Sequence, residues 1–545
     1  MSDSELILLS YFKWKEDCPK FLVGDFAFMI WDKNAQKMFG ARDYSGYRTL
    51  YYYSQQGDFA FCTTIEGLLK LPYIEKKINQ DWFTEYLAIG GMMDTLDGIS
   101  TPYKFINQIP PAHSISITKD TVSTNKYITL KSLKPIRYKS DDEYVEHFKE
   151  IFEEAVTDRL RSNKKIGSQL SGGLDSGAVA SFAARYLKSQ NKNLDTFSYI
   201  PPSDFKDFTP KNLMADERPF IKSTIQYIGN IKDHYFDFSD RSSYSEINEL
   251  LDIIEFPYKF HENSFWLKGI FEAANEKGIG ILLNGDRGNF NVSWGNALYH
   301  YSSLLKKIKW FRLFEELNYY SKNVGGPRLR RIPLIAKIAY PFLAGKQPMY
   351  DNNFINPELK KNTNVLNKLT SFDINESGSF KTKDINRLRL MHLEDLVPWN
   401  SGNTLNCKLS LRHSLWKRDP THDLRVIRYC LSIPDDQFVQ KGLDRALIRR
   451  ATKNYLPDKV RLNQRIRGVQ SADWVHRMDK ESDKLISELN MILKDERLLT
   501  LVNKNKLEDA LHIVKNEGFK TDDFTNPNYT ILMRCLIISR FLKKF

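Results

Sequence analysis

The chain has 545 residues, a formal net charge of +13 and a pI near 9.1, with 41% hydrophobic and 13% aromatic residues. This length predicts two to four domains with cores of their own, the aromatic content excludes a disordered chain, and no apolar run approaches the roughly 18 to 20 residues of a membrane span. The cysteines Cys18, Cys62, Cys407, Cys430 and Cys535 are scattered without a C-x-x-C pair, which excludes a zinc site and a disulfide framework and predicts buried thiols in a reducing cytoplasm. The start MSDSELILLS lacks a basic region and a small-residue cleavage site, so no signal peptide is expected.

Residues 1–130 form a β-rich unit, in which short runs of Phe, Tyr, Ile and Val are broken by turns at Gly40, Gly46, Gly57 and Pro110-Pro111. A helical pattern interrupts them at Gln80–Ile89. Residues 131–142 are polar and basic and read as a linker, with Asp141 placed to cap a helix from Asp142 to about Arg161. The domain that follows spans 143–545. Within it strands Lys165–Leu170, Asp195–Ile200, His234–Phe238 and Gly280–Asn284 alternate with helices Gly177–Leu187, Pro219–Ile228 and Phe265–Gly278. The alternation predicts an α/β fold with a doubly wound parallel sheet, whose ligands bind beyond the C-terminal strand ends. Residues 301–385 hold 15 Lys or Arg against seven Asp or Glu, a solvated insertion or a docking surface for an acidic or extended partner. Amphipathic helices fill most of 386–545.

The strongest chemical signal is Ser171-Gly172-Gly173-Leu174-Asp175-Ser176, between an expected strand end at Leu170 and an expected helix start at Gly177. Two glycines let the backbone turn tightly and present N–H groups, the helix N-terminus adds partial positive charge, and Ser171 and Ser176 add hydroxyl donors. That combination cradles phosphate. The loop lacks the lysine of a Walker A motif. An aspartate in an anion cradle calls for a cation, which makes Asp175 a Mg²⁺ ligand.

The hexapeptide resembles the pyrophosphate loop of N-type ATP pyrophosphatases. Gly24-Asp25-Phe26-Ala27-Phe28, Ala41-Arg42-Asp43 and Gly46-Tyr47-Arg48 look like the amidotransferase (Ntn) half of asparagine synthetases, and Asp216-Glu217, Asn284-Gly285-Asp286 and Leu431-Ser432-Ile433-Pro434 look like their synthetase half. The resemblance implies ATP and Mg²⁺, with Ser171, Gly172, Gly173, Asp175, Ser176, Tyr199, Asn284 and Gly285 at the nucleotide. The resemblance is loosest in 301–385.

Three departures refine it. The family's glutaminase cysteine follows the initiator methionine, whereas Ser2 stands here, and Trp14 to Cys18 resembles a later family segment; the expectation is a truncated amidotransferase-like domain without glutaminase activity. The loop after Leu283 keeps an acid, Asp286, but has Asn289 where the family has a metal-binding aspartate; an amide oxygen is a weaker Mg²⁺ ligand. Finally, the D-P-T-x-D run at Asp419–Asp423, the G-N-x-x-x-S-W run at Gly288–Trp294 and the R-G-x-Q-x-x-D-W run at Arg467–Trp474 resemble lasso-peptide macrolactam synthetases. This implies adenylation of an Asp or Glu side chain of a precursor peptide and ring closure by its N-terminal amine, with Asp286 orienting or deprotonating the amine and Arg465 or Arg467 stabilising the oxyanion. Each arginine is otherwise a surface ion-pair residue, and Asp286 otherwise an ordinary turn acid. Trp266, Trp294, Trp399 and Trp474 are possible walls of the peptide cavity. A leader peptidase is an implied partner; nucleic acid is not. The alternatives are an intermolecular amide ligase using ammonia or a small amine, and a catalytically impaired binding protein.

Overall fold

The computed structural model describes residues 2–344, 354–382 and 384–545; positions 345–353 and 383 of the basic 301–385 stretch lie outside the described residues. After a first helix, Asp3–Trp14, seven strands follow: β1 (Ala27–Asp32), β2 (Lys37–Arg42), β3 (Tyr51–Gln55), β4 (Asp58–Cys62), β5 (Ile106–Gln108), β6 (His113–Ile117) and β7 (Val122–Lys126). They form two antiparallel sheets, ordered β1-β2-β6-β7 and β4-β3-β5. The helix at Gln80–Ala88 shares a core with Tyr51, Tyr53 and Ile106 of the second sheet through Trp82, Phe83 and Tyr86, all fully buried.

Irregular chain leads from β7 to the helix Asp141–Thr157, which is capped by Ser140 rather than by the expected Asp141. The Ser140 hydroxyl accepts from the Glu143 N–H, and the Glu143 carboxylate accepts from the Ser140 N–H, a reciprocal box that satisfies two donors where Asp141 alone could satisfy one.

Further strands are β8 (Lys165–Gln169), β9 (Leu194–Tyr199), β10 (Leu213–Met214), β11 (Ile231–Phe236), β12 (Ile279–Leu283), β13 (Trp416–Arg418) and β14 (Arg467–Gly468). Five of them make one all-parallel sheet ordered β11-β9-β8-β12-β13. Alternate residues face opposite layers. Ile281 and Leu283 pack with Ile166, Leu194 and Phe182, while Leu282 packs with Phe197, Phe265 and Phe271. Burial on both faces suits a parallel sheet. The strand expected at His234–Phe238 lies earlier, because Ile231 and Lys232 pair with Leu194 and Asp195 and Phe238, at φ 45°, turns out of the sheet. β13 had no sequence signal. β10 and β14 pair in parallel as a separate strap, Leu213 with Arg467 and Met214 with Gly468.

In the basic stretch, helices Ala297–Lys306, Trp310–Val324 and Ile332–Ala339 close around Tyr301, Leu304, Leu313, Leu317 and Ile335. The largest core joins Trp82, Phe83 and Tyr86 to Leu250, Ile254, Phe256, Leu536 and Phe541. Among the described residues, no helix is long and apolar enough to cross a membrane.

Candidate active site

β8 ends at Gln169, and the chain turns through Ser171 and Gly172 into a helix spanning Leu174–Ser189. This helix starts three residues before its expected position. Gly173 is its N-cap, so Asp175 and Ser176 lie in the first turn, where the partial positive charge of the helix end favours an acid. The Ser176 hydroxyl accepts from the Ser171 N–H at 3.1 Å and lies 2.8 Å from the Ser171 hydroxyl, which accepts from the Gly173 N–H at 3.2 Å. The loop is therefore braced by its own serines. The Gly172 N–H donates to Glu217 at 3.1 Å, and burial pushes the Glu217 carboxyl up to about 7 against that bond. A carboxylate thus occupies one of the N–H groups expected to meet phosphate.

A cleft of about 240 Å³ opens over this loop, lined by Ser171, Gly173, Asp175, Ser176, Tyr199, Glu217, Trp266, Asn284, Gly285, Asp286, Asn289, Arg445 and Gln470. Gly172 is not among its walls, and a side chain there would collide with Phe220 and Glu217. Asp175 faces the loop after β12. A side chain at Gly288 would collide with its Oδ1, and one at Gly285 with its backbone. Its Oδ2 accepts from the Ser293 hydroxyl at 3.0 Å, while Oδ1 is buried without a hydrogen-bond partner. Burial raises the Asp175 acid above the usual carboxyl range, opposed by Arg445. An orphaned buried carboxylate oxygen fits a divalent cation. Among the described residues no group of three His, Cys, Asp or Glu could hold a metal unaided, so Asp175 and Asn289 would share the ion with phosphate oxygens, the usual arrangement for Mg²⁺.

Asp286 meets Lys417 at 2.8 Å. The lysine is buried in β13, and the Asp286 side chain is 46% exposed. Desolvation raises the Asp286 acid, but the Lys417 ammonium overrides it and holds the carboxyl below its usual range. Behind the pair, Asp419 accepts from the Arg287 N–H at 3.0 Å and from Thr421; burial, with the nearby Asp286 charge, pushes its acid up to about 7. The Arg287 guanidinium stacks 4.0 Å over Trp399 and donates to the Asn403 side chain at 2.6 Å. Asn403 in turn bonds the Ser45 carbonyl, and Arg48 stacks 3.5 Å over Trp416, so turns of the N-terminal sheets brace the acid loop from behind.

The three sequence patterns converge here. Asn291 Nδ2 donates to the Thr421 carbonyl at 2.7 Å, linking G-N-x-x-x-S-W to D-P-T-x-D, and Ser293 reaches Asp175. In the third pattern Gln470 lines the cleft, while the Tyr199 hydroxyl bonds Asp473, which Arg477 holds at 2.6 Å. Arg465 and Arg467 do not line the cleft. Arg465 Nε donates to the Asn323 carbonyl at 3.1 Å, and Arg467 lies in the β10–β14 strap. Arg445 lines the wall instead, a residue with no motif around it. Lys417 likewise belongs to no motif, although it adjoins the D-P-T-x-D run. Of the four tryptophans, Trp266 lines the cleft and stacks 5.5 Å from Tyr199, Trp294 and Trp399 flank Phe290, and Trp474 is fully buried, donating to the Phe524 carbonyl at 3.0 Å.

Cys18, Cys407, Cys430 and Cys535 are buried, and burial pushes the Cys18 thiol up to about 11. A thiol so disfavoured as thiolate is a structural residue.

The match of this parallel-sheet domain to the asparagine synthase family, together with its asparagine synthetase relatives, places the molecule among ATP-dependent, amide-bond-forming ligases. Residues 147–532 match the asparagine synthase family and residues 1–128 the glutamine amidotransferase domain. The chain belongs to the asparagine synthase family. It is 26% identical over 530 residues to glutamine-hydrolysing asparagine synthetase 3 of Bacillus subtilis, covering 96% of this chain and 79% of the relative. Asparagine synthetase 1 of the same organism is 24% identical over 507 residues, 88% of this chain and 74% of the relative. A putative asparagine synthetase of Methanocaldococcus jannaschii is 30% identical over 295 residues, 53% of each chain.

Proposed function

We propose that the protein is a macrolactam synthetase that adenylates an Asp or Glu side chain of a ribosomal precursor peptide and closes a ring with the peptide's N-terminal amine. The observation that carries this reading is the bonding of the three departing patterns beside the cleft: Asn291 to Thr421, Ser293 to Asp175, and Asp473 to Tyr199. Random decay of an asparagine synthetase would leave such segments unsupported; here the first two bond to each other and the third to Tyr199.

The peptide carboxylate attacks the α-phosphorus of ATP, pyrophosphate departs, and an acyl-adenylate remains. The Ser171–Ser176 loop holds the departing phosphates through its N–H and hydroxyl donors. A divalent cation on Asp175, when bound, supplies charge neutralisation for pyrophosphate. The amine then adds to the acyl carbon, and AMP leaves with the amide formed. Asp286, kept ionised by Lys417, is a weak base and a strong acceptor, suited to orienting the amine, whose protons pass to solvent as it adds to the acyl carbon. Arg445 is better placed than Arg465 or Arg467 to meet developing negative charge, because it lines the cleft and they do not. Ring closure converts a bimolecular condensation into a unimolecular one, so holding the peptide folded contributes to the rate alongside activation of the carboxylate. A leader peptidase would supply the free N-terminal amine.

The test is mass spectrometry of the precursor peptide after incubation with the protein, ATP and Mg²⁺. Cyclisation removes one water without adding nitrogen. Conversion of the carboxylate to a primary amide with added ammonia, and no ring, would establish the intermolecular ligase instead.

A further inference from the structure

The turn joining the first two helices of the basic stretch presents an apolar tip within a cluster of positive charge. Its sequence, Lys306-Lys307-Ile308-Lys309-Trp310-Phe311-Arg312-Leu313-Phe314, contains no acid. Leu313 packs inward, but Ile308 is 72% exposed, Phe311 96%, Trp310 46% and Phe314 44%. Two backbone bonds pin the turn, Ile308 N–H to the Leu305 carbonyl and Lys309 N–H to the Leu304 carbonyl. Ile308 sits at φ 57°, a left-handed conformation that a β-branched residue adopts only under strain. The fold therefore holds these side chains outward. Arg312 pairs with Asp436 at 3.3 Å, whereas Lys306, Lys307 and Lys309 have no ion pair among the described residues.

We propose that this turn docks the protein on an anionic lipid bilayer, with Ile308, Trp310 and Phe311 entering the headgroup boundary and the three lysines meeting lipid phosphates. The composition selects that occupant. Protein–protein interfaces are depleted in lysine, whereas interfacial membrane elements combine Lys or Arg with Trp and Phe. Unpaired lysines around an apolar tip match a negatively charged surface that also accepts hydrocarbon. The docking is peripheral and independent of the ligase chemistry, since none of these residues lines the cleft.

Sedimentation of the full chain with phosphatidylglycerol–phosphatidylcholine vesicles, and with phosphatidylcholine alone, tests the proposal. Binding to the anionic vesicles is expected to be at least about tenfold stronger. It should fall about tenfold in an Ile308→Ser/Phe311→Ser variant and be lost when Lys306, Lys307 and Lys309 are all replaced by Glu. For the unaltered chain, raising salt to about 1 M, where the screening length is about 3 Å, should release most of the bound protein. Absence of binding, equal binding to neutral vesicles, or binding indifferent to salt would overturn it. So would a serine variant that binds vesicles normally but changes from dimer to monomer by light scattering, which would make the turn an interface between copies of the chain.

Discussion

At the scale of single residues the site rests on two carboxylates in opposite electrostatic states. Asp175 is buried, raised and lacks a partner for one oxygen; Asp286 is paired, lowered and opens to the cleft. Replacing Asp175 with Ala should cut ATP–pyrophosphate exchange by about 100-fold or more while leaving thermal stability equal or higher, because an incompletely bonded buried carboxyl is removed. Exchange at the unaltered rate would refute its role. Lys417→Met should lower amide formation by about 10- to 100-fold and shift the acid limb of the pH–rate profile upward, since Asp286 loses the cation that depresses its acid. An unmoved profile would make Lys417 merely structural. Asp175 was legible because its glycine loop has a recognisable spacing. Lys417 and Arg445 were not, because their significance comes from neighbours far along the chain.

Between elements, the support of the acid loop depends on aromatic packing. Phe290, just after Asn289, packs with its ring centre 4.2 Å from that of His392 in the helix Ile385–Glu394, and Arg389 of the same helix donates to the Phe290 carbonyl at 3.0 Å. Burial pushes His392 down to about 4. A histidine with a depressed folded value is neutral in the native state, so its contribution is complete above the unfolded value of about 6.5 and is lost as pH falls from there toward 4. Lowering the pH from 7 to 5 should thus cost about 2 kcal/mol through this residue, and His392→Phe should flatten the urea-midpoint curve over that window. An unchanged curve would assign the acid sensitivity elsewhere. Elements with long patterns, such as β8, β9 and the helix Gln80–Ala88, were evident from sequence. The three-residue β13 and the two-residue strands β10 and β14 were not, since so short a run has no measurable period.

At the scale of the whole molecule, the boundary expected near residues 131–142 does not divide the interior. Trp82 and Phe83 share one core with Phe256 and Phe541, and Phe83 lies 6.1 Å from Phe541. Calorimetry should therefore show one cooperative transition rather than two, with Phe541→Ala costing about 3 to 5 kcal/mol; separate transitions would mean that the shared core contributes little coupling. Sequence periodicity could place these side chains on buried faces but could not say that the two faces were the same one.

That shared interior also orders events during synthesis. The apolar surface around Phe83 and Tyr103 is closed by the helix Pro527–Leu542, encoded more than four hundred codons later. While the ribosome is still translating the parallel sheet, the N-terminal sheets have emerged without their cover. The nascent chain must then wait, incomplete, for as long as the intervening segments take to be made, so the interval is set by the distance between the two segments rather than by the size of either.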